Sequence, residues 1–186
     1  MKKMKLKALV LALLLAALGT VSAGTLAYFT AEEAAHNVIT SGGVDIDLIE
    51  RIDETTPWPE EGVSGVMPGE DIAKIVTVKN TGASAAWIRV KVDVSITKAD
   101  GTEGDTDLIE IDYDKENWTE KDGYWYYNKA TAPGEETEEL FTKVTFKPTM
   151  DNPYQNCTAF VDVSAQAVQV ANNGETVMEA AGWPKD

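Results

Sequence analysis

Ile88, Val90, Val92, Val94 and Ile96 alternate with Arg89, Lys91, Asp93 and Ser95. A side-chain period of two puts the first set on one face of an extended strand and the second on the other. An amphipathic helix needs apolar residues every three or four positions, so this stretch cannot be one. Val44, Ile46 and Leu48 repeat the pattern against Asp45 and Asp47, and Leu140, Val144 and Phe146 share a face. So do Cys157, Ala159, Val161, Val163, Ala165 and Ala167, while Ile72 to Val78 is a shorter β-branched run. Turn residues separate these runs: Gly42-Gly43, Pro68-Gly69, Asn80-Thr81-Gly82, Asp100-Gly101, Asp122-Gly123 and Pro133-Gly134. The body of the chain carries no helical stripe. Only Glu32 to His36 has helical propensity, and it is short.

One motif occurs twice. Pro68-Gly69-Glu70 precedes the run from Ile72, and Pro133-Gly134-Glu135 precedes the run from Leu140. Proline presets φ and glycine supplies the positive φ of a type II turn, so each pair delivers the chain into a strand. Two such entries imply two sheets fed alike, and the expected fold is all-β, a single antiparallel β-sandwich. The stretches 53–61 and 100–107 read as polar loops. In the fragment Tyr124-Trp125-Tyr126-Tyr127, alternation puts Tyr124 and Tyr126 on one face and Trp125 and Tyr127 on the other, so at least one pair belongs to the core. With Tyr113 and Trp118 these aromatics are a candidate glycan or protein surface.

The chain opens as a secretory leader, expected to be helical. Lys2, Lys3, Lys5 and Lys7 precede an uncharged apolar run from Ala8 to Leu18, and small residues follow. The run is too short to cross ~30 Å of hydrocarbon, which takes about 20 residues. Left uncut, Ala8 to Phe29 would serve as a signal anchor. Two small-x-small cleavage sites compete, one ending at Ala23 and one at Ala27.

Charge and chemistry exclude more than they include. The net charge of −15 becomes −19 once the four leader lysines are gone, because no acid leaves with them. Such a chain repels phosphate backbones and anionic membranes, so no nucleic-acid partner is expected. Cys157 is the only cysteine; an intramolecular disulfide is impossible, and the expected place for its thiol is the core. His36 is the only histidine, which removes zinc sites of the His-Glu-x-x-His kind and leaves a Ser-His-Asp site nothing but an arm residue to use. The chain reads as no enzyme, without a cofactor. Asp100, Glu103, Asp105 and Asp107 form a weak calcium candidate, since calcium takes carboxylate oxygens, although their spacing is not that of an EF-hand. The end at Gly182-Trp183-Pro184-Lys185-Asp186 carries no sortase-type motif, so retention at a surface is expected through partners or self-assembly.

The block from Leu26 to Ile49 resembles the amino-terminal signature of the TasA/camelysin family of exported bacterial proteins. The likeness continues through Met67-Pro68-Gly69-Glu70, Val76-Thr77-Val78-Lys79-Asn80-Thr81-Gly82, Trp87 to Val92, Gly123 to Tyr127, Pro133 to Thr137 and Ala165 to Gln169. The resemblance implies a jelly-roll sandwich and a dedicated signal peptidase that cuts between Ala27 and Tyr28. The chain then divides into a signal peptide at 1–27, an amino-terminal arm at 28–43, a sandwich at 44–171 and a loosely ordered tail at 172–186, which Trp183 could dock. It further implies a secreted protein of a bacterial cell surface or biofilm matrix. Subunits would polymerise into fibres by donating the arm as a strand to the next copy, with minor matrix or anchoring proteins as further partners. Tyr28, Phe29, Val38 and Ile39 would anchor the donated strand, and Tyr28 to Thr40 would reach about 40 Å at ~3.3 Å per residue. The chain departs from the family in two places: Ala31 stands where an Asp is common, and the aromatic common near Ile39 is missing. The alternative is a monomeric secreted binding module using the Tyr/Trp surface. A metallopeptidase, the activity ascribed to camelysin, is a remote third, because the imidazole ligands are missing.

Overall fold

The computed structural model describes residues 29–32, 37–41, 44–60 and 62–184. Alternation becomes strand nearly everywhere it was expected. The strands are β1 (Phe29–Glu32), β2 (Asn37–Ser41), β3 (Ile46–Arg51), β4 (Val63–Val66), β5 (Asp71–Asn80), β6 (Ala86–Thr97), β7 (Ile109–Ile111), β8 (Trp118–Lys121), β9 (Tyr124–Tyr127), β10 (Phe141–Phe146) and β11 (Thr158–Gln169). Short 3-10 turns are the only helical elements among the described residues.

Two sheets form. One runs β4-β1-β11-β6-β9-β8, with β2 also pairing β11; the other runs β3-β5-β10-β7. Their facing sides share one core, in which Val76 and Val78 of β5 meet Ile88 and Val90 of β6 and Ala165 and Ala167 of β11. Trp118, Leu140, Phe141, Phe146 and Cys157 are buried in the same cluster. Each such large apolar side chain contributes roughly 1.5–3 kcal/mol on burial, which a chain with a single cysteine needs in place of disulfide staples. Pairing within the sheets is antiparallel except where β1 and β2 join β11.

The repeated Pro-Gly-Glu motif is one structural device used twice. Gly69 and Gly134 both hold positive φ, 87° and 82°. Glu70 N–H donates to the Met67 carbonyl and its carboxylate accepts back from Met67 N–H; Glu135 and Ala132 do the same. Each turn then clamps the far end of the partner strand: Gly69 N–H donates to Phe146 of β10, and Gly134 N–H donates to Asn80 of β5. Asn80 is fully buried and closes the β5–β6 connection, donating to the carbonyls of Ser84 and Thr131 at 2.8 Å and accepting from Gly82 N–H at 3.0 Å. A buried amide must be satisfied in this way.

The sequence reading left the tail loosely held, with Trp183 as the residue able to dock it. Residues 172–184 are packed on the outer face of β6, β9 and β11, where Trp87, Tyr124, Tyr126, Val168 and Val177 make a second cluster with Trp183 against it. Asn173 anchors the strap: its amide donates to the Gln169 and Ala181 carbonyls, and its oxygen accepts from Ala181 N–H. The Trp87 indole donates to the Asn173 carbonyl at 3.2 Å. Trp87 and Val168, opposite each other on the outer face, are apolar where an exposed sheet face would be polar, and the strap covers them.

Candidate functional site

The arm lies along the edge of β11 not taken by β6. Three positions of β1 pair with β11 in parallel (Thr30↔Thr158, Ala31↔Ala159, Glu32↔Phe160), and five of β2 follow, from Asn37↔Ser164 to Ser41↔Val168. On its other side β1 pairs with β4 through Phe29↔Val66, Thr30↔Ser64 and Ala31↔Val63. Among the described residues β4 joins the sheet through β1 alone. The arm is therefore an inserted strand, bridging the body of the sheet to its outermost ribbon.

Of the expected anchors, Phe29 pairs with Val66, Val38 with Ala165 and Ile39 with Gln166. Tyr28, the Ala27–Tyr28 junction, leader residues 1–27 and His36 lie outside the described residues. Beneath the arm, the inward residues of β11 are small or branched; Ala159, Ala165 and Ala167 are fully buried. The neighbouring sheet comes close here, with β3 against both β11 and β2.

Two electrostatic features mark this edge. Lys74 of β5 and Glu50 of β3 point into the sandwich, each side chain 3% exposed, with Nζ to Oε1 at 2.9 Å. The Trp58 ring lies 4.2 Å from the Lys74 ammonium, so a charge that burial would penalise is met by a carboxylate and an aromatic face. On the outer face, Asp162 of β11 stands directly opposite Asp93 of β6. Burial lifts the Asp162 carboxyl above the ordinary carboxylate range, Asp93 adds to the rise and Lys74 opposes it. Lys91 shields Asp93 at 3.2 Å. Like charges directly across an antiparallel pair destabilise it, so this is a strained point on the strand that receives the arm.

Sequence reasoning missed Glu50, Lys74 and Trp58. The signal was present: Glu50 continues the inward register of Ile46 and Leu48, and Lys74 falls between Ile72 and Val76 on one face. A charge in phase with a buried series marks an internal pair. Trp58 sits in a loop read as polar, yet it is 7% exposed.

The remaining candidates separate. Asp100, Glu103, Asp105 and Asp107 are exposed, and among the described residues no three acidic, histidine or cysteine side chains converge to hold a metal ion. Asp100 instead accepts from Thr102, and Asp105 from Asp107 N–H. The aromatic fragment divides as alternation requires. Trp125 and Tyr127 pack on the main core, while Tyr124 and Tyr126 go under the strap. There the Arg89 guanidinium stacks 3.8 Å over Tyr124 and 4.7 Å over Trp183 while donating to Gln166 Oε1 at 2.6 and 2.9 Å. A cleft of about 540 Å3 is lined by Glu135, Glu136 and Glu138, but these accept from Ala132 N–H, from Arg51 with Thr77, and from Lys129. Cys157 is 1% exposed, and burial pushes its thiol up to about 11.

The chain matches no protein-family model, no curated protein and no solved structure.

Proposed function

We propose that this is an exported, non-enzymatic structural protein of the TasA/camelysin kind, a jelly-roll sandwich released by cleavage before Tyr28. Each subunit donates its arm to the next to build fibres of a bacterial cell surface or matrix. The observation that supports this most is the parallel docking of β1 and β2 on β11, with β4 attached through β1. Backbone pairing along a strand edge carries no label saying which chain supplies the strand. An arm from a sister copy makes the same register pairs, and the choice between self-pairing and donation then rests on local concentration and on the connection Gly42-Gly43 that follows β2 in sequence. Donation is a head-to-tail contact, which extends into a filament when the rotation does not close a ring. The high negative charge opposes close packing of subunits, so acidification or divalent cations promote assembly.

The test is electron microscopy of protein beginning at Tyr28, concentrated between about pH 4 and 8 with and without calcium. Threads are expected, together with loss of threads on deleting 28–40 and capture of a synthetic 28–43 peptide by the deleted protein. Monomers of the processed chain under every condition would defeat the proposal.

A further inference from the structure

The sheet order puts the arm toward one end of the seven-stranded sheet and β8 at the other. At that far edge lies an open cleft of about 400 Å3 lined by Tyr113, Lys115, Trp118, Thr119, Glu120 and Trp125. Ligand pockets commonly span about 300–1,000 Å3, with an apolar or aromatic wall and a few placed polar groups. This cleft has both parts.

The wall is fixed from behind. Tyr113 and Trp125 stack with ring centroids 4.2 Å apart and planes 19° from parallel, and Phe141 meets Tyr113 edge-on from the core at 5.7 Å. Trp118 is buried, donates its indole N–H to the Glu138 carbonyl at 3.3 Å and rests on Tyr127. Tyr113 and Trp125 are only half-buried, so the wall is rigid yet reachable.

The rim is polar and only partly committed. Lys115 is exposed and makes no ion pair or hydrogen bond among the described residues. Glu120 receives Gly123 N–H on Oε1 at 3.2 Å, which leaves Oε2 for another donor. Thr119 spends its hydroxyl hydrogen on Asn128 Oδ1 at 2.8 Å and keeps its lone pairs. The rim thus offers ammonium donors, a carboxylate acceptor and a hydroxyl acceptor beside flat rings.

A pyranose matches that arrangement: a face of C–H groups for the rings, and hydroxyls that both donate and accept at the edge. Charge selects further. The rim carries one positive and one negative group on a chain of net charge −15, so an acidic ligand is repelled by the whole surface. A cationic ligand would find thirty other Asp and Glu side chains, 31 less Glu120, elsewhere to satisfy it. We propose that this cleft binds neutral hexopyranose units of a polysaccharide. Its position lets saccharide binding and arm pairing proceed without competition, and the two ideas have separate readouts.

The experiment titrates the folded chain with maltohexaose, cellohexaose and chitohexaose, with hexagalacturonate as the acidic control. Indole N–H resonances are followed by NMR. At least one neutral hexamer is expected to shift the Trp125 indole signal at up to about 10 mM, and the double variant Lys115→Ala/Glu120→Gln to weaken binding about tenfold. Both rim residues are exposed, so circular dichroism of the variant should match the parent. The proposal is overturned by silence of the Trp125 resonance with all three neutral sugars. It is equally overturned by unchanged affinity in the rim variant, or by hexagalacturonate binding as tightly as the neutral hexamers.

Discussion

Replacing Glu50 with leucine removes the carboxylate facing Lys74 while nearly keeping side-chain volume. Both members of the pair are 3% exposed and their charged atoms are 2.9 Å apart. At an effective dielectric of about 20, charges at that separation attract by about 6 kcal/mol before desolvation is counted. Removing one partner of a buried pair therefore costs about 3–5 kcal/mol, because the other charge stays behind in an apolar setting. The Trp58 face, 4.2 Å from the ammonium, offsets up to about 2 kcal/mol and places the expected loss near the lower bound. With a urea m-value of about 2 kcal/mol/M, 3 kcal/mol lowers the unfolding midpoint by about 1.5 M, readable by tryptophan fluorescence. The companion Glu50→Leu/Lys74→Met takes away both charges and is expected within about 1 kcal/mol of the parent. A single-variant loss under about 1 kcal/mol would refute the reasoning, since that is what a solvent-exposed pair is worth. A double variant no better than the single would refute it as well.

Asp162→Asn is expected to raise stability at neutral pH by about 0.2–1 kcal/mol, by removing the repulsion from Asp93. The sign follows from linkage: the folded carboxyl binds its proton at higher pH than the unfolded value of 3.8, so Asp162 favours folding progressively as pH falls through the folded value toward 3.8. The Asn variant lacks that component, and denaturation of both proteins across this range checks it; parallel pH profiles would contradict it. Trp183→Ala loosens the strap at Arg89 and Tyr126, worth about 1–2 kcal/mol locally. Hydrogen exchange at Ala181 should then speed up roughly tenfold or more, with β6 and β11 amides unchanged. Cys157, with its thiol pushed up to about 11, is only about a thousandth thiolate at pH 8 and should resist a disulfide reagent until urea unfolds the chain. Fast labelling of native protein would show that the core is open there.

What could be read from the sequence was local. Cβ alternation assigns faces without reference to a partner, so β6, β11 and the split between Tyr124/Tyr126 and Trp125/Tyr127 were legible residue by residue. The Pro-Gly entries were legible because φ at those positions is a property of the residue. Partner choice is different in kind. Thr30 meets Thr158 and Asn37 meets Ser164 across most of the chain, and no local signal says that a strand will dock there in parallel. The strap was legible only at Trp183, as a residue able to dock; that Trp87, Tyr124 and Arg89 lie under it to receive it was not. Glu50 and Lys74 each stand in phase with a buried apolar series, but only the closing of two sheets shows that they meet each other. Residue chemistry determined which surfaces had to be buried, and packing in three dimensions decided what buries them, because burial is a relation between segments that the chain brings together only on folding.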